Sequence, residues 1–173
     1  PDSAVPAHLK ALQAAAVDHG VDFGIAFDGD GDRINVVDGR GRVLGAERFA
    51  MVLLRGPLQP TAGDRVVLDV KCSMHLDRLV AALGGEPVRC KSGHAYMKRT
   101  VLERSALAGV EVSGHIFLGA IEGRDDPLYT ALVLSAWLAQ GGHKLADLVD
   151  ALPAMYMTED IRVALPSDEI GRI

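Results

Sequence analysis

Cysteine, aromatic residues, positive charge and long apolar runs are all scarce in this 173-residue sequence, and each shortage removes a class of protein. The two cysteines, Cys72 and Cys90, stand in no paired spacing. They can build neither a disulfide framework nor a zinc site, and they imply reduced thiols in a cytoplasmic setting. Aromatic residues make up 5% of the chain, and 18 basic residues face 23 acidic ones for a net charge of -5. With too few rings to stack bases and no basic excess to follow phosphates, nucleic acid is not an expected partner. The longest apolar stretch, Leu128 to Leu138, is interrupted by Thr130 and Ser135. It falls short of the roughly 18 residues of a membrane span, so a membrane is not expected either. The chain opens Pro1-Asp2-Ser3, with no Met, basic n-region or apolar h-region. No targeting segment is expected, and a piece of a longer protein is.

What is present suffices for an ordinary globular protein. Hydrophobic residues account for 49% of the chain, enough to offset the entropy of ordering one core or two modest ones. Periodicity alternates between helix and strand. Helices are expected over Ala7 to His19, Ala46 to Leu54, His75 to Leu83, Tyr96 to Arg104, Leu128 to Ala139 and Leu145 to Leu152. Strands are expected over Phe23 to Phe27, Ile34 to Val37, Arg65 to Val70, Pro87 to Cys90, Leu107 to Val112 and Tyr156 to Leu165, with a hairpin turn at Gly39-Arg40-Gly41 and an exit linker at Pro166-Ser167-Asp168. Strands separated by helices of this length predict the α/β class, a mostly parallel or mixed sheet with helices on both faces.

The sharpest feature is Asp28-Gly29-Asp30-Gly31-Asp32-Arg33, set directly after the apolar strand Phe23 to Phe27. Three carboxylates within five residues repel one another unless a cation neutralises them, and the alternating glycines let the backbone converge them. Hard oxygen donors select Mg²⁺, Ca²⁺ or Mn²⁺ over zinc. An EF-hand loop is excluded, because its sixth and twelfth positions need Gly and Glu where this chain has Arg33 and Gly39. A haloacid-dehalogenase-type phosphatase also places D-x-D after an apolar strand, but Asp32-Arg33 fits poorly where a Thr or Val is expected. The bland alternative is a solvated Asp/Gly hairpin turn. Arg33 either pairs with one of these carboxylates or reaches for a phosphoryl group that also touches the cation.

Three further strand ends carry polar groups. Lys71 follows the strand Arg65 to Val70 and is either a surface lysine or a phosphate contact. Lys91-Ser92-Gly93-His94 opens a helix, where backbone N–H groups favour an anion and His94 is either a bystander or a proton donor. Glu111-Val112-Ser113-Gly114-His115 combines carboxylate, hydroxyl and imidazole around a glycine, as a sugar with several hydroxyls requires. His8, His19, His75 and His143 read as surface residues of helical segments.

These pieces, in this order, resemble the α-D-phosphohexomutase superfamily, most closely its bacterial phosphomannomutase/phosphoglucomutase branch. The resemblance is carried by Asp28 to Arg33, by Asp69-Val70-Lys71-Cys72-Ser73, by Lys91-Ser92-Gly93-His94 and by the sugar loop that the family writes G-E-x-S-G-H. It implies that Asp28, Asp30 and Asp32 bind Mg²⁺ and that Arg33 lies near the catalytic phosphoserine. It further implies that Lys71 and His94 act in electrostatic and proton-transfer roles, while Glu111, Ser113 and His115 hold sugar hydroxyls. The implied reaction moves phosphate between the 1- and 6-positions of a hexose through a bisphosphate, with glucose 1,6-bisphosphate activating the full enzyme. The family has four domains. The chain is expected to contain the end of the second (residues 1 to 42), the whole sugar-binding third (43 to 155) and the linker towards the fourth (156 to 173). The other domains of the same chain are then its partners, together with the hexose phosphate. The phosphoryl-carrying serine, in a T-A-S-H-N-P-like loop, does not occur in this sequence, so the chain alone is expected to be inactive. Val110 stands where the family has Gly before the sugar-loop Glu, and residues 118 to 124 are poor in the charged and aromatic residues of related enzymes, although Asp125-Asp126 is kept. A non-catalytic module that binds Mg²⁺ or a sugar phosphate is the alternative.

Overall fold

A computed structural model describes residues 6–155; the expected strand Tyr156 to Leu165 and the exit linker lie outside the described residues. A short 3₁₀ turn, Pro6–Leu9, leads into helix α1 (Lys10–Asp18). Strands β1 (Phe23–Phe27), β2 (Ile34–Asp38) and β3 (Val43–Leu44) then form an antiparallel sheet in that order. Helix α2 (Ala46–Arg55) leads to the second sheet, built from β4 (Arg65–Asp69), β5 (Glu86–Cys90), β6 (Ala108–Val110), β7 (Ile116–Leu118) and β8 (Arg124–Asp125). Helices α3 (Met74–Ala82) and α4 (His94–Glu103) are the crossovers of this sheet, and α5 (Pro127–Gly141) and α6 (Leu145–Asp150) follow it.

The second sheet has the order β5-β4-β6-β7-β8, with β5, β4 and β6 parallel and β7 and β8 antiparallel. The sheet is therefore mixed. Its parallel part follows from the α3 and α4 crossovers, as the alternation of elements predicts. The antiparallel part was not legible as strands. Ile116–Leu118 is three residues long between Gly114 and Gly119, too short for a period of two to show. The expected strand Leu107 to Val112 shrinks to Ala108–Val110, because residues 111–114 turn the chain into β7.

Alternation along the strands sends side chains to two cores. Val66 and Leu68 of β4, Val110 of β6 and Ile116 and Leu118 of β7 join one cluster, while Val67 of β4 and Phe117 of β7 join another with Met97 and Val101 of α4. Helices cover both faces as expected. The larger cluster also takes Ile34, Val36 and Leu44 from the first sheet and Phe49 to Leu54 from α2, so the two sheets share one hydrophobic core. Val110 is spent on that core, at 2% exposure, so its side chain does not crowd the sugar loop.

A polar clamp binds the same two parts. In the turn between β2 and β3, Arg40 pairs with Asp147 (2.8 Å) and Asp150 of α6. Arg42 pairs with the fully buried Asp38 (2.7 Å) and with Asp150 (2.5 Å), and donates to the Ala146 carbonyl. Exposed pairs contribute little singly, but here they converge on α6 and surround one buried carboxylate.

Because the core is continuous, the two sheets are expected to unfold together. Urea titrations followed by Trp137 fluorescence and by far-UV circular dichroism should coincide. Phe49→Ala, which empties a side chain that is 1% exposed, should lower stability by about 3–5 kcal/mol and shift both curves equally. Separate midpoints would show that the sheets melt independently.

Candidate functional site

Strands β1 and β2 pair antiparallel from Phe23↔Asp38 to Phe27↔Ile34, so the acidic loop 28–33 is the hairpin loop between them. Asp28 organises it. Its side chain is fully buried; Oδ1 accepts backbone N–H bonds from Gly31 (3.2 Å), Asp32 (3.2 Å) and Arg33 (3.1 Å), and Oδ2 pairs with Arg33 Nε at 2.5 Å. Gly31 makes the tight curl possible at φ +77°, a region that side chains rarely enter. Arg33 Nε also lies 4.0 Å from Asp32 Oδ1.

One oxygen from each of Asp28, Asp30 and Asp32 lies within 4.8 Å of the others. Burial opposes ionisation of Asp28, yet the Arg33 backbone and guanidinium outweigh it and hold the pKa down, from 3.8 to about 2. Asp32 moves the other way. Burial raises it first, and the neighbouring Asp30, Asp28 and Asp125 raise it further, against a lowering by His115. Asp28 is therefore satisfied by the protein, whereas Asp32 is left short of positive charge. Three hard oxygen donors drawn this close together fit a divalent cation. The plain solvated turn explains neither the burial of Asp28 nor the convergence of the three groups.

The Glu111–His115 turn arrives from the other sheet. Gly114 N–H donates to the Glu111 carbonyl (3.1 Å) and Glu111 N–H to the His115 carbonyl (3.1 Å), closing the hairpin between β6 and β7. Gly114 has φ +104°, and Ile34 N–H donates to its carbonyl at 3.4 Å. A Cβ there would meet the Ile34 carbonyl oxygen at 3.3 Å. The Glu111–His115 turn thus rests on the acidic loop through bare backbone, and His115 Nδ1 comes within 4.0 Å of Asp32 Oδ2. Glu111 Oε2 is shut away from solvent with no hydrogen-bond partner among the described residues. Ser113 is exposed.

His94 begins α4, after Gly93 at φ +125°, and its Nε2 stands 2.9 Å from Asp125 Oδ2. His115 Nδ1 stands 2.9 Å from the same oxygen. Lys71 is exposed in the turn after β4, where its backbone N–H donates to Asp69 Oδ1 (3.0 Å). Ser92 Oγ donates to that same oxygen at 2.5 Å, so the fully buried Asp69 ties the Lys71 turn to the segment that presents His94. Burial beside Glu47 and Asp69 pushes the Cys72 thiol up to about 12, which marks it as an inert core thiol. Among the other histidines, His8, His19 and His143 are exposed, while His75 is half-buried.

The structure therefore brings together Asp28, Asp30, Asp32, Arg33 and His115, and joins His94 to His115. The sequence reading missed Asp69 and Asp125 as site residues. A signal existed for the second: Asp126 alone caps α5, accepting from Tyr129 N–H (2.8 Å) with Pro127 at the first helical position. The acid before it has no work in the cap.

This architecture is a mixed α/β sheet with a cluster of three acidic side chains beside a polar turn. Residues 47–156 match the phosphoglucomutase/phosphomannomutase α/β/α domain III, and residues 1–41 match domain II of the same family. The chain belongs to the phosphoglucomutase/phosphomannomutase family. It is 34% identical to a phosphomannomutase/phosphoglucomutase of Pseudomonas aeruginosa over 97% of the chain and 36% of that protein. It is also 36% identical to one from Pseudomonas syringae over 94% of the chain and 35% of that protein. A crystal structure of a phosphoglucomutase/phosphomannomutase family protein from Burkholderia thailandensis superposes with a TM-score of 0.78 at 37% identity, covering 90% of this chain and 34% of that one. The chain thus spans about a third of the length of these relatives. Among the described residues, no helix is long and apolar enough to cross a membrane.

The pairing of Asp28 gives a prediction for the metal-free chain. A carboxylate whose folded pKa is depressed contributes stability that is fully present above its unfolded pKa, near 4, and lost as pH falls through about 2. Urea midpoints measured across this window should fall for the wild type. Asp28→Asn should start lower and lose less over the same window; an equally steep fall would show that other carboxylates carry the acid sensitivity.

Proposed function

We propose that these residues are the cation-binding and sugar-binding part of a phosphomannomutase/phosphoglucomutase that moves phosphate reversibly between the 1- and 6-positions of a hexose. The observation that carries this reading is the contact between the acidic loop and the sugar loop, with His115 4.0 Å from Asp32, in a chain of this family. A cation site and a hydroxyl-binding turn in contact are what phosphoryl transfer to and from a sugar needs.

In this reading residues 1–42 are the end of a second domain, residues 43–155 a sugar-binding third domain and residues 156–173 a linker. The remaining domains of the complete gene product are its partners in the reaction, with glucose 1,6-bisphosphate as activator. The free thiols of Cys72 and Cys90 suit a reducing, cytoplasmic setting.

Asp28, Asp30 and Asp32 would hold Mg²⁺, which supplies charge neutralisation on the transferring phosphoryl group. Arg33, anchored through Nε on Asp28, adds a fixed positive charge beside that loop. Lys71 contributes a mobile ammonium at the end of β4. Glu111 offers a carboxylate oxygen that has no hydrogen-bond partner among the described residues and therefore suits a sugar hydroxyl, with Ser113 on the same turn as a second contact. His115 binds a hydroxyl alongside them, and His94 moves the hydroxyl proton.

The complete gene product, given glucose 1-phosphate, glucose 1,6-bisphosphate and Mg²⁺, is expected to form glucose 6-phosphate. Asp30→Asn should cut that rate about 100-fold or more. The 173-residue chain alone should show no turnover under the same conditions, because it contains no T-A-S-H-N-P-like serine loop. An inactive complete product that still binds phosphosugar by calorimetry would replace the mutase with a non-catalytic binding module, and an unaffected Asp30→Asn would remove the cation assignment.

A further inference from the structure

We propose that Asp125 is the positioning residue of this site: a single carboxylate oxygen that sets both the orientation and the tautomer of His94 and His115. The inference rests on the reading above only in giving the two imidazoles work on a hydroxyl-bearing substrate; its geometry stands independently.

The arrangement follows from strand register. His115 and Phe117 are two residues apart at the start of β7, so their side chains leave the sheet on the same face, the one covered by α4. Phe117 pairs with Asp125 across the β7–β8 ladder, which puts the carboxylate on that face as well. His94, the first residue of α4, comes down onto the same patch. The rings close around Phe117, which is fully buried: His94 lies 5.2 Å from it and His115 6.0 Å, centroid to centroid, and the two imidazoles meet edge to face at 5.4 Å. Packing restricts the ring planes, and Asp125, 9% exposed at its side chain, decides which edge of each ring faces inward.

Oδ2 of Asp125 lies 2.9 Å from His94 Nε2 and 2.9 Å from His115 Nδ1. Both distances are the length of an N–H···O hydrogen bond, so two such bonds converge on one acceptor.

An ionised carboxylate only accepts, so each facing nitrogen must carry the proton. That assigns His94 as the Nε2–H form and His115 as the Nδ1–H form. In the neutral imidazoles the outward nitrogens are then His94 Nδ1 and His115 Nε2, each able to accept from a hydroxyl. Without such a partner a histidine side chain prefers its proton on Nε2, so the His115 assignment is the discriminating one. One acid thereby gives two neighbouring imidazoles opposite tautomers, and each presents an acceptor to the substrate side. The partner that fixes one ring nitrogen determines what the other can do, as in hydrolytic triads.

The test is nitrogen-15 spectroscopy of the imidazoles in the labelled chain, metal-free and at about pH 8.5, above the ordinary imidazole range. Long-range proton–nitrogen correlations should show His115 protonated at Nδ1 and His94 at Nε2. In Asp125→Ala, His115 should switch to the Nε2–H pattern while amide resonances away from residues 94, 115 and 125 hold still. Asp125→Asn, which keeps one accepting oxygen but adds a donating amide, should preserve at most one of the two assignments. A wild-type His115 that carries its proton on Nε2 overturns the proposal, and that measurement needs no variant to fold. A His115 tautomer unchanged in a folded Asp125→Ala overturns it as well. Activity separates this idea from the reading it rests on. The assigned tautomers in an otherwise inactive complete gene product uphold the role of Asp125 and sink the mutase, while the opposite tautomer in an active one sinks the role of Asp125 alone.

Discussion

The site depends on the approach of two hairpin turns from different sheets, backbone against backbone. Gly114 lies on Arg33 and Ile34 closely enough for an N–H to carbonyl hydrogen bond of 3.4 Å, and a Cβ would come to 3.3 Å of the Ile34 carbonyl oxygen. A side chain can swing by several ångströms, but two backbones held by their own strands cannot. Every distance across the site is thus inherited from this one contact. The rest of the molecule keeps the two turns in place: Ile34 and Val36 of the first sheet share a core with Val110 and Ile116 of the second. On the far side of that core, Arg40 and Arg42 pin the first sheet to α6.

Charge is distributed unevenly across that contact, and the unevenness separates structure from function. Asp28 is fully served by three N–H groups and a guanidinium, and Asp38 in the same sheet is served by Arg42 in a similar way. These buried acids hold the hairpin in shape. Asp32 and Glu111 are served less. The first meets Arg33 and His115 only at 4.0 Å and is crowded by like charges, and the second keeps an oxygen with no hydrogen-bond partner among the described residues. Under the proposed function, the remaining electrostatic demand at the meeting point of the two turns suits a cation on one side and a hydroxyl on the other.

Legibility followed the strength of the local signal. The acidic loop, the Lys-Ser-Gly-His opening of α4 and the Glu-x-Ser-Gly-His turn announce themselves because alternating glycines and clustered polar groups are costly unless used. Helices α2, α3 and α5 emerged from their periodicity to within a few residues, since an apolar stripe or an Ala/Leu-rich segment is a local property. The strands β3, β7 and β8 did not, because segments of two or three residues hold their shape only by pairing with a neighbour that the sequence does not identify. Asp125 and Asp69 were missed for a related reason. Neither belongs to a conspicuous cluster in the chain, and each gains meaning only from what folding sets beside it: two imidazoles for one, and the Lys71 and Ser92 segments for the other.

By itself the sequence determined the class of the fold and the chemical character of each loop, because both rest on residue type and spacing over a dozen positions or fewer. It determined that Asp28, Asp30 and Asp32 would crowd one another and that Glu111, Ser113 and His115 would share a turn. Tertiary structure alone decided that these two turns touch, that Arg33 is committed to Asp28, and that one oxygen of Asp125 serves both His94 and His115. Those are relations between residues 5 to 83 positions apart. They are fixed by strand register and by a shared core, and neither is written in any one stretch of the chain.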